Sequence, residues 1–168
     1  MNSNELFNSI VKSVLEIDNT LKNANNTGIF FAPELYVAFH LGLDITNNKS
    51  YIFNDYTTLE WCRETNLGNG GPSDILYKID SKYNTVIELK IRQDYYSYEA
   101  DIEKLLKLPS NMNRYFCVLV DSFSNQNDAR ITKLFEKYEM EKIGSFDFET
   151  WNERYVKQVY CIINLFKV

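Results

Sequence analysis

Residues 72–91 read PSDILYKIDSKYNTVIELKI, and their pattern predicts the centre of the fold. Two runs rich in apolar and β-branched residues, 73–79 and 85–91, are separated by the polar segment 80–84. Runs of this length on either side of a polar turn are typical of two strands joined in a hairpin. The sequence therefore predicts a β-hairpin across this stretch.

Three side chains of this hairpin carry its chemistry. Successive side chains of a strand point to opposite faces, so Glu88 and Lys90 share one face of the second strand. Asp74 lies at the start of the first strand, and the hairpin brings it across from the end that carries Glu88 and Lys90. Carboxylate oxygens are ligands that Mg²⁺ prefers, and a lysine is a point charge that can orient a water molecule or stabilise a phosphoryl transition state.

On either side of the hairpin, the spacing of apolar residues and the residues that interrupt helices and strands predict the remaining elements. Residue 33 is a proline at a predicted helix start, and Pro109 ends another helix. The continuous apolar run 115–120 predicts a strand covered on both faces. We predict helices at 4–22, 33–41, 97–108 and 126–140, and strands at 51–64 (at least over 58–64), 115–120, 144–148 and 155–166. The order predicts a single α/β domain over residues 1–168, with a central mixed β-sheet flanked by helices.

Composition restricts the classes of function. The chain has 168 residues, of which 45% are hydrophobic and 24% charged, which is a globular composition. Its net charge of −5 argues against a protein that holds nucleic acid by bulk positive charge alone. Three separated cysteines without a CxxC pair predict buried thiols in a reducing compartment. With no signal-peptide pattern and no apolar run of membrane-spanning length, we expect a cytoplasmic protein that does not contact membranes.

The hairpin residues resemble the PD-(D/E)XK nuclease superfamily. The family pattern is a carboxylate at the start of one core strand, here Asp74, followed by (D/E)-x-K on the next, here Glu88 and Lys90. The proline stands one position earlier than usual, at Pro72. The resemblance implies a restriction-endonuclease-like fold in which Asp74 and Glu88 bind metal, the Leu89 carbonyl is a third ligand, and Lys90 positions the attacking water.

The resemblance extends to both sides of the hairpin, over roughly residues 30–125. Glu34 shares a helix face with apolar residues, where a carboxylate needs a partner or a metal. It resembles the glutamate that many members carry on the helix before the sheet, which implies a role in metal binding. The predicted helix 97–108, with its Asp-Ile-Glu-Lys-Leu run, and the apolar strand after it also resemble the family core.

The resemblance implies a Mg²⁺-dependent nuclease, with Mn²⁺ as a substitute and DNA as the expected substrate, in defence or repair. Arg92 and Gln93 directly follow the motif and are either nucleic-acid contacts or ordinary surface residues. A minimal domain without an evident recognition module indicates a homodimer that cuts two strands, a larger partner protein or low sequence specificity. Two alternatives stay open. One is a non-catalytic binding or regulatory module with a nuclease fold. In the other, Glu88 and Lys90 form an ion pair on a solvated face and Asp74 is a turn residue.

Overall fold

The computed structural model describes residues 1–54, 58–124, 128–152 and 157–168. The elements in chain order are α1 (Ser3–Asn25), a 3₁₀ turn (Ile29–Phe31), α2 (Glu34–Asn47), α3 (Lys49–Phe53), β1 (Leu59–Asn66), β2 (Pro72–Ile79), β3 (Lys82–Ile91), α4 (Tyr95–Leu106), β4 (Asn113–Ser122), α5 (Ala129–Lys137), β5 (Glu141–Asn152) and β6 (Lys157–Lys167).

The strands form one six-stranded mixed sheet in the order β1-β2-β3-β4-β6-β5. Strands β1, β2 and β3 form an antiparallel meander. Strands β3 and β4 are parallel, and α4 lies between them in the chain, as a parallel pair requires. Strand β6 pairs antiparallel with both β4 and β5. The predicted α/β class with a central mixed sheet flanked by helices is confirmed.

Both faces of the sheet are covered. On one face, Ile75, Ile87 and Leu89 pack in a core that also contains residues of α1, α2 and α3. On the other, Leu76 and Val86 pack with residues of α4 and α5. The predicted strand at 115–120 is buried throughout, as expected of a strand covered on both sides. The alternation of β3 thus directs Glu88 and Lys90 toward α4.

The predicted hairpin is present, with a shorter turn than its polar composition indicated. Residues 82–84 belong to β3, and the turn consists of Asp80 and Ser81, which both have positive φ. Two consecutive left-handed residues form the tight turn whose twist matches that of the strands beside it.

The prediction of a strand from residue 51 was wrong at its beginning. Tyr51 to Phe53 lie in the short helix α3, where Ile52 and Phe53 are fully buried. Asn48 is the C-cap of α2 and the N-cap of α3, so the chain continues directly into a helical turn that buries these apolar residues without strand pairing. The strand proper, β1, begins at Leu59. Parts of three predicted elements lie outside the described residues. They are residues 55–57 of the strand predicted from residue 51, the beginning of the predicted helix at 126–140 and the beginning of the predicted strand at 155–166.

Other boundaries differ because of caps. Asn2 caps α1 by accepting from two backbone N–H groups, and α1 continues to Asn25, beyond the predicted end at residue 22. Asp94 caps α4, which therefore begins at Tyr95 rather than at 97. Helix α5 ends at Lys137, and β5 is longer than the predicted 144–148. None of the described helices is long and apolar enough to cross a membrane.

Candidate metal centre

The site lies where β2 separates from β3. The registered pairing of these strands begins at Ile75 with Ile87, so Asp74 stands at the opening of the ladder. The backbone N–H of Leu89 donates to Asp74 Oδ2 at 2.8 Å. A side-chain carboxylate thus takes the place that a strand carbonyl would occupy, and the N–H fixes its orientation.

Glu34 satisfies the next free N–H along the same edge. It lies in the first turn of α2, and its Oε2 accepts from the Ile91 N–H at 3.0 Å. Its Oε1 lies 3.1 Å from Lys90 Nζ. A glutamate on this helix face was expected to need a partner, and the Ile91 N–H and the Lys90 ammonium are its two partners. Glu34 reaches the site but is engaged by Lys90, and its predicted role as a metal ligand stays a prediction.

Three carboxylates meet on the α4 side of the sheet. Asp74, Glu88 and Asp101 each offer an oxygen, and these oxygens all lie within 4.8 Å of one another. Strands β2 and β3 supply the first two, and α4 supplies the third. Asp74 lies within β2, which contradicts the alternative in which it is a turn residue. The complete burial of Glu88 contradicts an ion pair on a solvated face.

Glu88 is the most constrained of the three. It is 0% exposed. Its Oε2 lies 2.6 Å from Lys104 Nζ in an ion pair. Within the described part of the chain neither Glu88 oxygen accepts a hydrogen bond, and Oε1 has no ion-pair partner either. Burial raises the pKa of Glu88 to about 8; Lys104 opposes this rise and Asp74 adds to it. A buried oxygen without a partner is costly, and a metal ion would satisfy it.

Lys90 is held as a cation beside this cluster. Its Nζ lies 3.1 Å from Asp101 Oδ2 and 3.4 Å from the Leu89 carbonyl, in addition to its Glu34 contact. Burial alone would lower the pKa of Lys90, but the carboxylates around it, Asp101 first and Glu34 second, hold that pKa above its ordinary value. A lysine that stays protonated can orient water or a phosphate oxygen; it is poorly suited to remove a proton.

Sequence reasoning missed two residues of the site, Asp101 and Lys104. Lys104 Nζ lies 3.9 Å from Asp101 Oδ1 and donates to the Pro72 carbonyl at 2.8 Å. Burial raises the pKa of Asp101, against the lowering effect of Lys90. Their i, i+3 spacing is the sequence signal that could have indicated them, because it places both on one face of the helix that follows the Glu-x-Lys strand.

Arg92 and Gln93 lie just past the end of β3. Arg92 has a left-handed backbone, with φ of 52°, and its guanidinium lies 5.7 Å from the centre of the Phe30 ring. Gln93 is exposed, and its carbonyl accepts from Arg130 at 2.7 Å. Their contact with nucleic acid stays a prediction.

The donor set fits a divalent cation. Hard carboxylate oxygens are what Mg²⁺ and Mn²⁺ prefer. The charged groups of the site are four carboxylates and two lysines: Glu34, Asp74, Glu88, Asp101, Lys90 and Lys104. With all six ionised, their formal charge is −2, which one divalent ion would neutralise. The Leu89 carbonyl, predicted as a further ligand, lies on the same edge of β3 as its N–H.

No protein-family model, curated protein or solved structure matches this chain. The resemblance to the PD-(D/E)XK superfamily therefore rests on the residues and on the geometry in which they meet.

Proposed function

We propose that this protein is a divalent-metal-dependent nuclease of the PD-(D/E)XK type that hydrolyses phosphodiester bonds, with DNA as its substrate. The observation that carries the proposal is the meeting of Asp74, Glu88 and Lys90 at the opening of the β2–β3 ladder. The buried, unpartnered oxygen of Glu88 supports it further, since it lies in the carboxylate cluster.

Each residue has a role under this proposal. Asp74, Glu88 and Asp101 would hold Mg²⁺ or Mn²⁺, with the Leu89 carbonyl and Glu34 as further ligands. The bound ion would supply Lewis-acid stabilisation and a more acidic water. The backbone N–H groups of Leu89 and Ile91 fix Asp74 and Glu34 in place. Lys90, cationic and held on a rigid strand, orients the attacking water and balances the charge that builds on the phosphoryl group.

The setting of the reaction belongs to the same proposal. The three cysteines, Cys62, Cys117 and Cys161, are free thiols, which supports a reducing, cytoplasmic location. The net charge of −5 disfavours broad electrostatic attraction to DNA. A homodimer or a larger partner protein would then supply additional substrate contacts. A role in defence or repair follows from the resemblance alone.

The test is cleavage of supercoiled plasmid, single-stranded DNA and RNA with Mg²⁺ or Mn²⁺, against a chelator. Glu88→Gln and Lys90→Met should each lower the rate by about 10³-fold or more, because they remove a metal ligand and the orienting charge. Glu139→Gln and Lys133→Met change the same residue types at exposed positions and should cleave like the wild type. Equal cleavage by Glu88→Gln and Glu139→Gln would overturn the assignment.

A non-catalytic binding module is the second candidate. The observation that favours it is that Lys90 and Lys104 already pair with the carboxylates, as in a purely structural network. It predicts that no metal binds and that no substrate is cut, while a partner protein or nucleic acid binds equally well to the wild type and to Lys90→Met.

A further inference from the structure

Lys104 makes an unusual set of contacts for a residue in the third turn of a helix. Its ammonium lies 2.6 Å from Glu88 Oε2 and 3.9 Å from Asp101 Oδ1, so it touches two of the three clustered carboxylates. It also donates to the Pro72 carbonyl, two residues before Asp74. Its side chain is only 12% exposed. The Lys104 ammonium is thus the cation that pairs directly with Glu88.

An ammonium at this distance and a divalent ion cannot share the Glu88 carboxylate at low cost. Mg²⁺ sits about 2.0–2.1 Å from its ligand oxygens. Two cations on one carboxylate in a buried site repel each other strongly, since the low effective dielectric weakens screening. Lys90 differs, because its ion pairs are with Asp101 and Glu34, each at 3.1 Å, and not with Glu88. A metal ion on Glu88 therefore leaves Lys90 the Glu34 partner that holds it in place.

We infer that Lys104 is the internal cation of the metal-free site and that a divalent ion displaces it from Glu88 on binding. The inference rests on the metal centre of the proposed function. Lys104 stabilises the buried carboxylates when no ion is present, and in doing so it lowers the affinity of the site for metal. The Pro72 carbonyl, to which the ammonium already donates, remains its partner after displacement.

The test is direct measurement of Mg²⁺ and Mn²⁺ binding by calorimetry, without nucleic acid and at constant pH. Lys104→Met should bind roughly tenfold more tightly than the wild type, because the competing cation is gone. Lys107→Met is the matched control. Lys107 lies one turn further along, is exposed, and forms no ion pair in the part of the chain that the structure describes. Its affinity should stay within about twofold of the wild type, since an exposed charge is screened.

The outcomes separate the inference from the proposed function. If the wild type binds metal and Lys104→Met binds no more tightly than Lys107→Met, the inference is overturned and the nuclease proposal stands. If none of the three proteins binds either metal, the metal centre itself is refuted, and the inference with it.

A measurement on the wild type covers the case in which Lys104→Met does not fold. In an NMR experiment that detects lysine ammonium groups, Mg²⁺ should shift the Lys104 signal, assigned with Lys104→Arg, and leave that of Lys107 unchanged. A Lys104 signal that does not move while the site saturates would overturn the inference.

Discussion

Two buried carboxylates, Asp18 and Glu88, differ in how completely their oxygens are satisfied. Both are nearly inaccessible, at 1% and 0% exposure, and each has a lysine ammonium at 2.6 Å. Asp18 Oδ2 pairs with Lys22, and its Oδ1 accepts from the Ile29 N–H at 2.8 Å and from the Thr150 hydroxyl. Glu88 keeps one oxygen without a partner among the described residues.

Burial of a carboxylate therefore does not by itself indicate function. Asp18 ties α1 to the 3₁₀ turn and to β5, and nothing is left for a ligand to satisfy. Glu88 stands beside two further carboxylates with bonding capacity unused. Under the proposed function, an unfilled requirement of this kind distinguishes the proposed metal site from a structural ion pair.

The largest expected effect is on catalysis. Asp74→Asn should lower the Mg²⁺-dependent cleavage rate by about 10³-fold, because it removes a charged metal ligand while keeping an acceptor for the Leu89 N–H. Asp18→Asn should keep the wild-type rate within about threefold when both are assayed below their melting temperatures. Cleavage rates that fall equally in the two variants would remove the functional distinction.

The second effect is on stability. Asp18→Ala should lower the free energy of unfolding by about 3 kcal/mol, because it strands the Ile29 N–H and the Thr150 hydroxyl and breaks a buried ion pair. Glu88→Gln should be neutral or stabilising in metal-free protein above pH 8, since it removes a buried charge. Urea unfolding of both variants measures this; a Glu88→Gln protein as unstable as Asp18→Ala would refute the contrast.

The third effect is the pH dependence of stability in metal-free protein. Glu88 releases its proton near pH 4.5 when unfolded and near its raised pKa of about 8 when folded. Between these values the folded state holds the extra proton, so stability falls as pH rises. The wild type should lose on the order of 2 kcal/mol between pH 6 and 8, and Glu88→Gln should lose much less. Parallel pH profiles for the two proteins would contradict this origin.

The smallest effect concerns the two lysine partners. Lys22→Met should cost only about 1 kcal/mol, because the Lys22 side chain is 39% exposed and water partly replaces it. Its metal affinity should equal that of the wild type, in contrast to Lys104→Met. Calorimetry and urea unfolding on Lys22→Met check both statements; tighter metal binding by Lys22→Met would show a nonspecific effect of net charge.

What the sequence predicts well is local. The alternation of Glu88 and Lys90, the position of Asp74 in the hairpin and the apolar spacing of α1 follow from strand and helix periodicity. Asp101 and Lys104 lay in a run whose helix was predicted, but only the packing of α4 on β3 shows which of its faces meets the carboxylates. Tyr51 to Phe53 have strand-like composition, yet burial in a helical turn outweighs that preference.

The two carboxylate sites also differ in how much of the chain must be assembled to build them. Asp18 needs Thr150, which lies 132 positions away, so it forms only when the two ends of the chain have met. Asp74, Glu88 and Asp101 come from β2, β3 and α4, which are consecutive elements. Closing such short loops costs little chain entropy. The carboxylate cluster can therefore assemble within one contiguous segment of the chain. The Asp18 contacts, in contrast, form only when distant parts of the domain have folded together.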